Sequence, residues 1–169
     1  MALDTATRAE QLCIAHVLAT IRSDKGSPVT SVEGYGYGKG YKLVFETYLH
    51  LFAELERHNR AGRNVILIAH DDVEMVPNPA GEDYKRWTPR LQNKGNGNIA
   101  NTFKEWCDHL LHVGYDFALA AKDGKNRGGN SRTIYPVEQA TFVAKSRSLK
   151  APIPYEEGSV DLWTAQFGK

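Results

Sequence analysis

Apolar positions recur at helical spacing twice before residue 60. In 5–22, Leu12, Ala15, His16, Ala19 and Ile21–Arg22 form the first periodic stretch. The segment "SDKGSPVTSVEGYGYGKG" then breaks all periodicity and reads as a loop. In 39–59, Leu43, Val44, Tyr48, Leu51, Phe52 and Leu55 make the cleanest stripe in the chain, and Gly62 in "RAGRN" is well placed to end that helix. Residues 65–69 are too few for a helix and too uniformly apolar for an edge strand. They predict a central strand buried on both faces, as in a parallel sheet with helical crossovers. A long loop or hairpin over 71–95 follows, marked by Pro77, Pro79 and "AGED", with 84–91 extended. A helix is expected over 98–107, with Phe103, Trp106 and Cys107 on its apolar side. Strands are expected over 109–120, 132–136 and 141–144, the first two flanking a hairpin tip at "KDGKNRGGN". The rigid loop "APIPYEEG" leads to a short terminal helix containing Leu162, Trp163 and Phe167.

This order predicts one α/β domain over 1–169, with parallel central strands, helices and a C-terminal antiparallel extension. A parallel sheet needs more than one central strand, and the stub before the first helix supplies at most part of one. The chain therefore reads as lacking the first strands of its sheet.

Composition narrows the class. A hydrophobic share of 41% with 24% charged residues is that of an ordinary globular protein, and no apolar run nears the roughly 20 residues that span a bilayer. The start has no signal-peptide pattern. Two cysteines, Cys13 and Cys107, both in expected helices, read as buried free thiols of a reducing cytoplasm. The net charge of +1 hides a polarity: residues 1–84 hold 8 Lys/Arg and 12 Asp/Glu, whereas 85–150 hold 12 and 5. A basic middle favours an anionic partner such as nucleic acid or phosphate, or is a solvated face.

Several clusters invite a chemical reading. Gly34, Gly36, Gly38 and Gly40 with Lys39 suggest a phosphate loop, but G-x-x-x-x-G-K-[ST] would need glycine at Glu33 and a hydroxyl at Gly40. A flexible loop fits better, in which Tyr35, Tyr37, Tyr41 and Lys39 could stack on bases and pair with phosphates. His109 and His112 have metal-like spacing but point to opposite faces of a strand. The run His70-Asp71-Asp72 has no further ligand placed by sequence to complete a metal site, although a metal-dependent nuclease built on it stays open as a third class. Lys145 and Arg147 share one face of an extended chain, where they clamp a phosphate or form a solvated edge.

Taken together, "ALDTAT", "GYGYGKGY", "VILIAHDDVE", "DYKRWTPRL" and "FVAKSR" occur in the order seen in RecA-like ATPases of bacteriophages. More narrowly, the chain resembles the phage AAA-type nucleotide-binding proteins that accompany single-strand annealing recombination proteins, over nearly its whole length but only the later part of the family's domain. The resemblance implies a truncated RecA-like core. It makes Asp4 the Walker B aspartate that helps hold magnesium through water, and His70 the sensor of the γ-phosphate. Loops 23–41 and 71–95 take the places of the two DNA loops. Lys145 and Arg147 become cations that reach a neighbouring subunit's nucleotide and stabilise charge developing on the phosphoryl group. Trp87 beside Lys85, Arg86 and Arg90 suits contact with single-stranded DNA.

The family's phosphate loop and catalytic glutamate region lie upstream of the part matched here. ATP and magnesium are therefore expected only if a missing N-terminal part or a partner supplies that loop, and hydrolysis by these residues alone is not. Three origins of the gap stay open: a shortened chain, a gene start placed too late, or a natural remnant with a binding role. The resemblance implies a phage protein in the bacterial host cytoplasm. Its partners would be single-stranded DNA, further copies of itself or a single-strand annealing protein, and not a membrane. The alternative is a non-enzymatic interaction protein that binds and inhibits or scaffolds a host or phage complex, such as a defence system.

Overall fold

The structure is a computed structural model and describes residues 1–95, 97–119, 126–155, 158 and 163–164. It is mixed α/β, with a parallel strand pair, α-helices and antiparallel strands among the described residues. The chain forms two compact units: Met1–Glu74 with Trp87–Trp106, and Met75–Arg86 with Cys107–Lys169.

The first unit begins with β1 (Ala2–Asp4), which pairs in parallel with β2 (Ile66–Ile68) in the register Ala2–Ile66, Leu3–Leu67, Asp4–Ile68. Between them run α1 (Ala6–Thr20), a 3-10 turn (Val32–Tyr35) and α2 (Lys39–Arg60); α3 (Ile99–Trp106) comes later. The Thr5 hydroxyl caps α1 by accepting from the Arg8 N–H at 2.9 Å, which satisfies one of the helix's orphan donors. The stripe expected on α2 is the buried one: Val44, Tyr48, Phe52 and Leu55 pack in the core with Ala6, Val17, Ile99 and Phe103. The Tyr48 hydroxyl donates to the Ala6 carbonyl at 3.1 Å, and the Phe52 ring lies 5.3 Å from that of Tyr48 and 5.7 Å from that of Trp106. Each fully buried side chain of this size contributes roughly 1.5–3 kcal/mol.

Two expectations are corrected here. Leu12, Ala15, His16 and Ala19 lie on the exposed side of α1, and Ala6, Thr7 and Val17 are buried instead. Helix α1 carries apolar residues on both sides, so spacing did not choose the face. The choice is made where small Ala6 lets Tyr48 of α2 come close. The second correction concerns β2, which is not buried on both faces: Ile66 is 57% and Ile68 48% exposed. Among the described residues its ladder partner is β1 alone, so only the Leu3–Leu67 side is partly covered.

Residues 71–95 contain a second strand pair, β3 (Asp71–Val76) and β4 (Tyr84–Pro89). The second unit adds β5 (His109–Leu110), β6 (His112–Leu119), β7 (Asn126–Tyr135), β8 (Lys145–Ser146) and β9 (Ile153–Tyr155). β5 pairs with β8, and β7 lies between β6 and β9, all antiparallel. Residues 141–144 are not a strand: Gln139 and Phe142 bridge across a tight turn, and extended pairing starts at Lys145. That turn drops Phe142 onto His112, ring to ring at 4.5 Å, and beside Tyr135 at 4.9 Å. Aromatic packing thus replaces ladder bonds there. Part of the expected hairpin tip (122–125), and Leu162 and Phe167 of the expected terminal helix, lie outside the described residues.

Candidate functional site at the ends of the parallel strands

Exposure alternates without a break from Asn64 to His70: Asn64, Ile66, Ile68 and His70 are exposed, while Val65, Leu67 and Ala69 are half-buried. Period two is that of extended chain, and residues aligned in a parallel pair present to the same side. The register Asp4–Ile68 therefore sets Asp4 and His70 on one open face, at the carboxyl ends of neighbouring parallel strands. In open α/β sheets that is where ligands bind.

The His70 backbone is fixed on both sides. Its N–H donates to the Thr7 hydroxyl at 3.1 Å, and its carbonyl accepts from the Arg90 N–H at 2.8 Å. Thr7 is buried at the start of α1, so the first turn after β1 holds the end of β2. Just beyond Arg90, the Gln92 N–H donates to the Glu10 carboxylate at 2.6 Å. The Gln92 amide donates to the carbonyls of Tyr41 and Gly97, and its own carbonyl accepts from the Ala100 N–H. Gln92 thereby joins α1, α2 and α3 at one point. Burial pushes the Glu10 carboxyl above its ordinary range, against the lowering effect of the Gln92 N–H. Sequence reasoning missed Thr7, Glu10 and Gln92. Thr7 could have been found, as a hydroxyl in the first turn after a strand; Gln92 sits in a polar stretch with no signal.

In the glycine-rich loop, neighbouring aromatics differ. The Tyr35 hydroxyl donates to the carbonyls of Val17 (3.1 Å) and Ile21 (2.8 Å), tying the loop to the end of α1. Tyr37 stands at φ 48° between Gly36 (φ 73°) and Gly38 (φ 74°) and is fully exposed. A tyrosine in the left-handed region is uncommon, and the flanking glycines let the chain take that shape. Lys39 forms an exposed ion pair with Asp24. The Tyr41 hydroxyl donates to Glu33 at 2.5 Å, holding the Glu33 carboxyl below its ordinary range and the Tyr41 hydroxyl above its own.

In β4, exposure alternates again. Lys85 and Trp87 are exposed, Trp87 at 44%, while Arg86 is largely covered and paired with Glu138. Arg90, past the strand, is exposed. In the second unit, Lys145 pairs with Leu110 across β5 and β8, and Arg147 forms an exposed ion pair with Asp108 at 3.0 Å. Beside them, burial pushes the Cys107 thiol up to about 11, with Lys145 acting the other way. His109 Nδ1 lies 2.8 Å from the Ser146 hydroxyl, which also accepts the Leu149 N–H, an arrangement that closes a turn.

Among the described residues no group of three His, Cys, Asp or Glu is arranged to hold a metal, and no helix is long and apolar enough to cross a membrane. Asp4, exposed at a strand end, fits a contact to hydrated magnesium from one side. The 169 residues contain no G-x-x-x-x-G-K-[ST] to cradle phosphates. The fit to a magnesium nucleotide is therefore partial, and no hydrolytic step follows from these residues alone. The profile of a family described as "AAA domain" matches residues 1–148. Neither the curated proteins nor the solved structures contain a match.

Proposed function

Because the chain belongs to the AAA domain family, whose domains are ATPase-like, we propose that it is a RecA-like phage ATPase domain without its phosphate loop, acting on single-stranded DNA in recombination. What supports the reading is one observation: Asp4 and His70 share an open face at the carboxyl ends of adjacent parallel strands. There Asp4 would hold magnesium through water and His70 would face the γ-phosphate, with the phosphate cradle contributed from outside these residues. The nucleotide supplies the transferable phosphoryl group when bound. The chain's own part is to hold His70 through Thr7 and Arg90, so that the strand end and the chain leaving β4 move together.

Lys145 and Arg147 would reach a neighbouring copy's nucleotide. Arg147 must first leave Asp108, and an exposed pair of this kind opposes that by less than about 1 kcal/mol. Tyr37, Lys85, Trp87 and Arg90 would contact DNA, since all four are exposed; Lys39 joins them on leaving Asp24.

The test is binding of ATP and of labelled oligo(dT) to the full chain. Replacing Lys85 and Trp87 together by Ala should weaken oligo(dT) binding at least about tenfold, since one lost stacking contact is worth ~1–3 kcal/mol, and leave the melting temperature unchanged. Binding of neither ligand, together with a stoichiometric protein complex, would replace this reading with the interaction role.

A further inference from the structure

The three-stranded sheet of the second unit has two unlike faces. Its register aligns Val113, Ile134 and Ile153 in one row and Tyr115, Arg132 and Tyr155 in the next, all on the same face. The other face carries His112, Thr133 and Tyr135. It is closed by Phe142 stacking on His112 and by the Thr133 hydroxyl donating to Asp116 at 2.8 Å. On the first face, Ile134 and Pro136 are buried at one end. Along β6 this face is open, with Val113 48% and Tyr115 52% exposed; Arg132 is exposed and Tyr155 is half-buried.

The Arg132 guanidinium lies 4.7 Å from the centre of the Tyr115 ring and donates to its hydroxyl at 2.7 Å. Neighbouring strands are about 4.8 Å apart, so the row is a flat strip some 10 Å wide holding an aromatic, a planar cation and an aromatic. Residues 117–135, which contain the link between β6 and β7, hold four Lys/Arg and a single Asp. In the sequence these residues carry a net positive charge, and Glu156 and Glu157 follow Tyr155.

We infer that this Tyr115–Arg132–Tyr155 row is a binding surface for single-stranded nucleic acid, separate from the strand-end site. A shallow aromatic strip with a stacked guanidinium suits unpaired bases, whose faces a duplex hides, and the excess of Lys/Arg in the sequence of 117–135 suits their phosphates. The inference rests on the reading above for its ligand class alone, because it uses none of the residues assigned there.

The experiment measures fluorescence anisotropy of labelled oligo(dT) with the full chain at low salt, beside a duplex of equal length. Tyr115→Leu keeps an apolar side chain on the strand but removes the π-face, and should weaken binding at least about fivefold. Tyr115→Phe should bind within about twofold of the parent. Arg132→Glu, at an exposed position, should weaken binding further and flatten its salt dependence. Melting curves by circular dichroism should be superimposable for all three. Parent-like binding by Tyr115→Leu and Arg132→Glu overturns the inference. So does tighter binding of the duplex than of oligo(dT), or a loss of binding matched by a fall in melting temperature. If the Lys85/Trp87 double variant alone loses binding, this surface is wrong and the DNA contacts proposed earlier stand. If Tyr115→Leu alone loses it, the reverse holds. No binding by the parent chain overturns both.

Discussion

The glycine-rich loop and the β3–β4 strand pair put cations and aromatics together by opposite means. In the loop, Tyr35 and Tyr37 lie two residues apart, yet one turns inward to bond α1 and the other is wholly exposed, because Gly36, Tyr37 and Gly38 all take positive φ. In β4 the same division falls between adjacent residues through strand alternation: Arg86 turns to Glu138 while Lys85 and Trp87 face solvent. Each region therefore has members that hold the structure and members that are displayed. Closeness in sequence does not make two residues partners in a task. Within the first unit, Gln92 bonds the Tyr41 carbonyl at the start of α2 and lies just beyond the Arg90 contact to His70.

Four variants test that division, from the largest expected effect to the smallest. Gly40→Ala should be the most damaging, because the added Cβ would meet the Val32 carbonyl oxygen at 2.1 Å and force the backbone apart. A loss of about 3 kcal/mol in urea unfolding is expected, and parent-like stability would show that the loop is not rooted there. Arg86→Ala should cost about 1–2 kcal/mol, less than a fully buried pair because Glu138 is half exposed. Its oligo(dT) affinity should fall far less than that of the Lys85/Trp87 variant, and an equal fall would erase the distinction within β4. Tyr35→Phe should lower stability by about 1 kcal/mol with unchanged affinity. Tyr37→Gly should do the opposite: it relieves the left-handed backbone, slightly raises stability and weakens DNA binding.

Glu10→Gln gives the smallest effect, and it depends on pH. The folded Glu10 carboxyl titrates above its unfolded value, so the folded state binds its proton more readily and stability from this group grows as pH falls. At neutral pH the variant escapes the burial cost and should be the more stable, by less than roughly 1 kcal/mol after allowance for the group's partial exposure. That advantage should shrink as pH drops through the carboxylate range. A constant difference from pH 4 to pH 8 would show that burial of the charge is not the cause.

Much of the fold could be read directly. The α2 stripe, α3, the extended chain over 84–91 and the antiparallel extension follow from periodicity, which records local geometry together with which side is apolar. The face of α1 did not follow, because both sides carry apolar residues. Nor did the openness of β2, which depends on how many strands flank it, a nonlocal fact. At the site, the end of β2 was legible as a polar residue closing an apolar run, and Asp4 was placed by the resemblance. Glu10 and Gln92 were not legible, since their bond spans 82 residues.

By itself the sequence determined the helices, the extended run over 65–69 and the chemical inventory: a histidine closing an apolar run, and aromatics among cations. These depend on residue type and on spacings of a few residues. Only the tertiary structure decided which aromatics and cations are anchors and which are displayed, and that Asp4 and His70 share a face. It alone aligned Tyr115, Arg132 and Tyr155 across three strands. Register and burial come from segments distant in the chain packing together, and no local pattern carries that information.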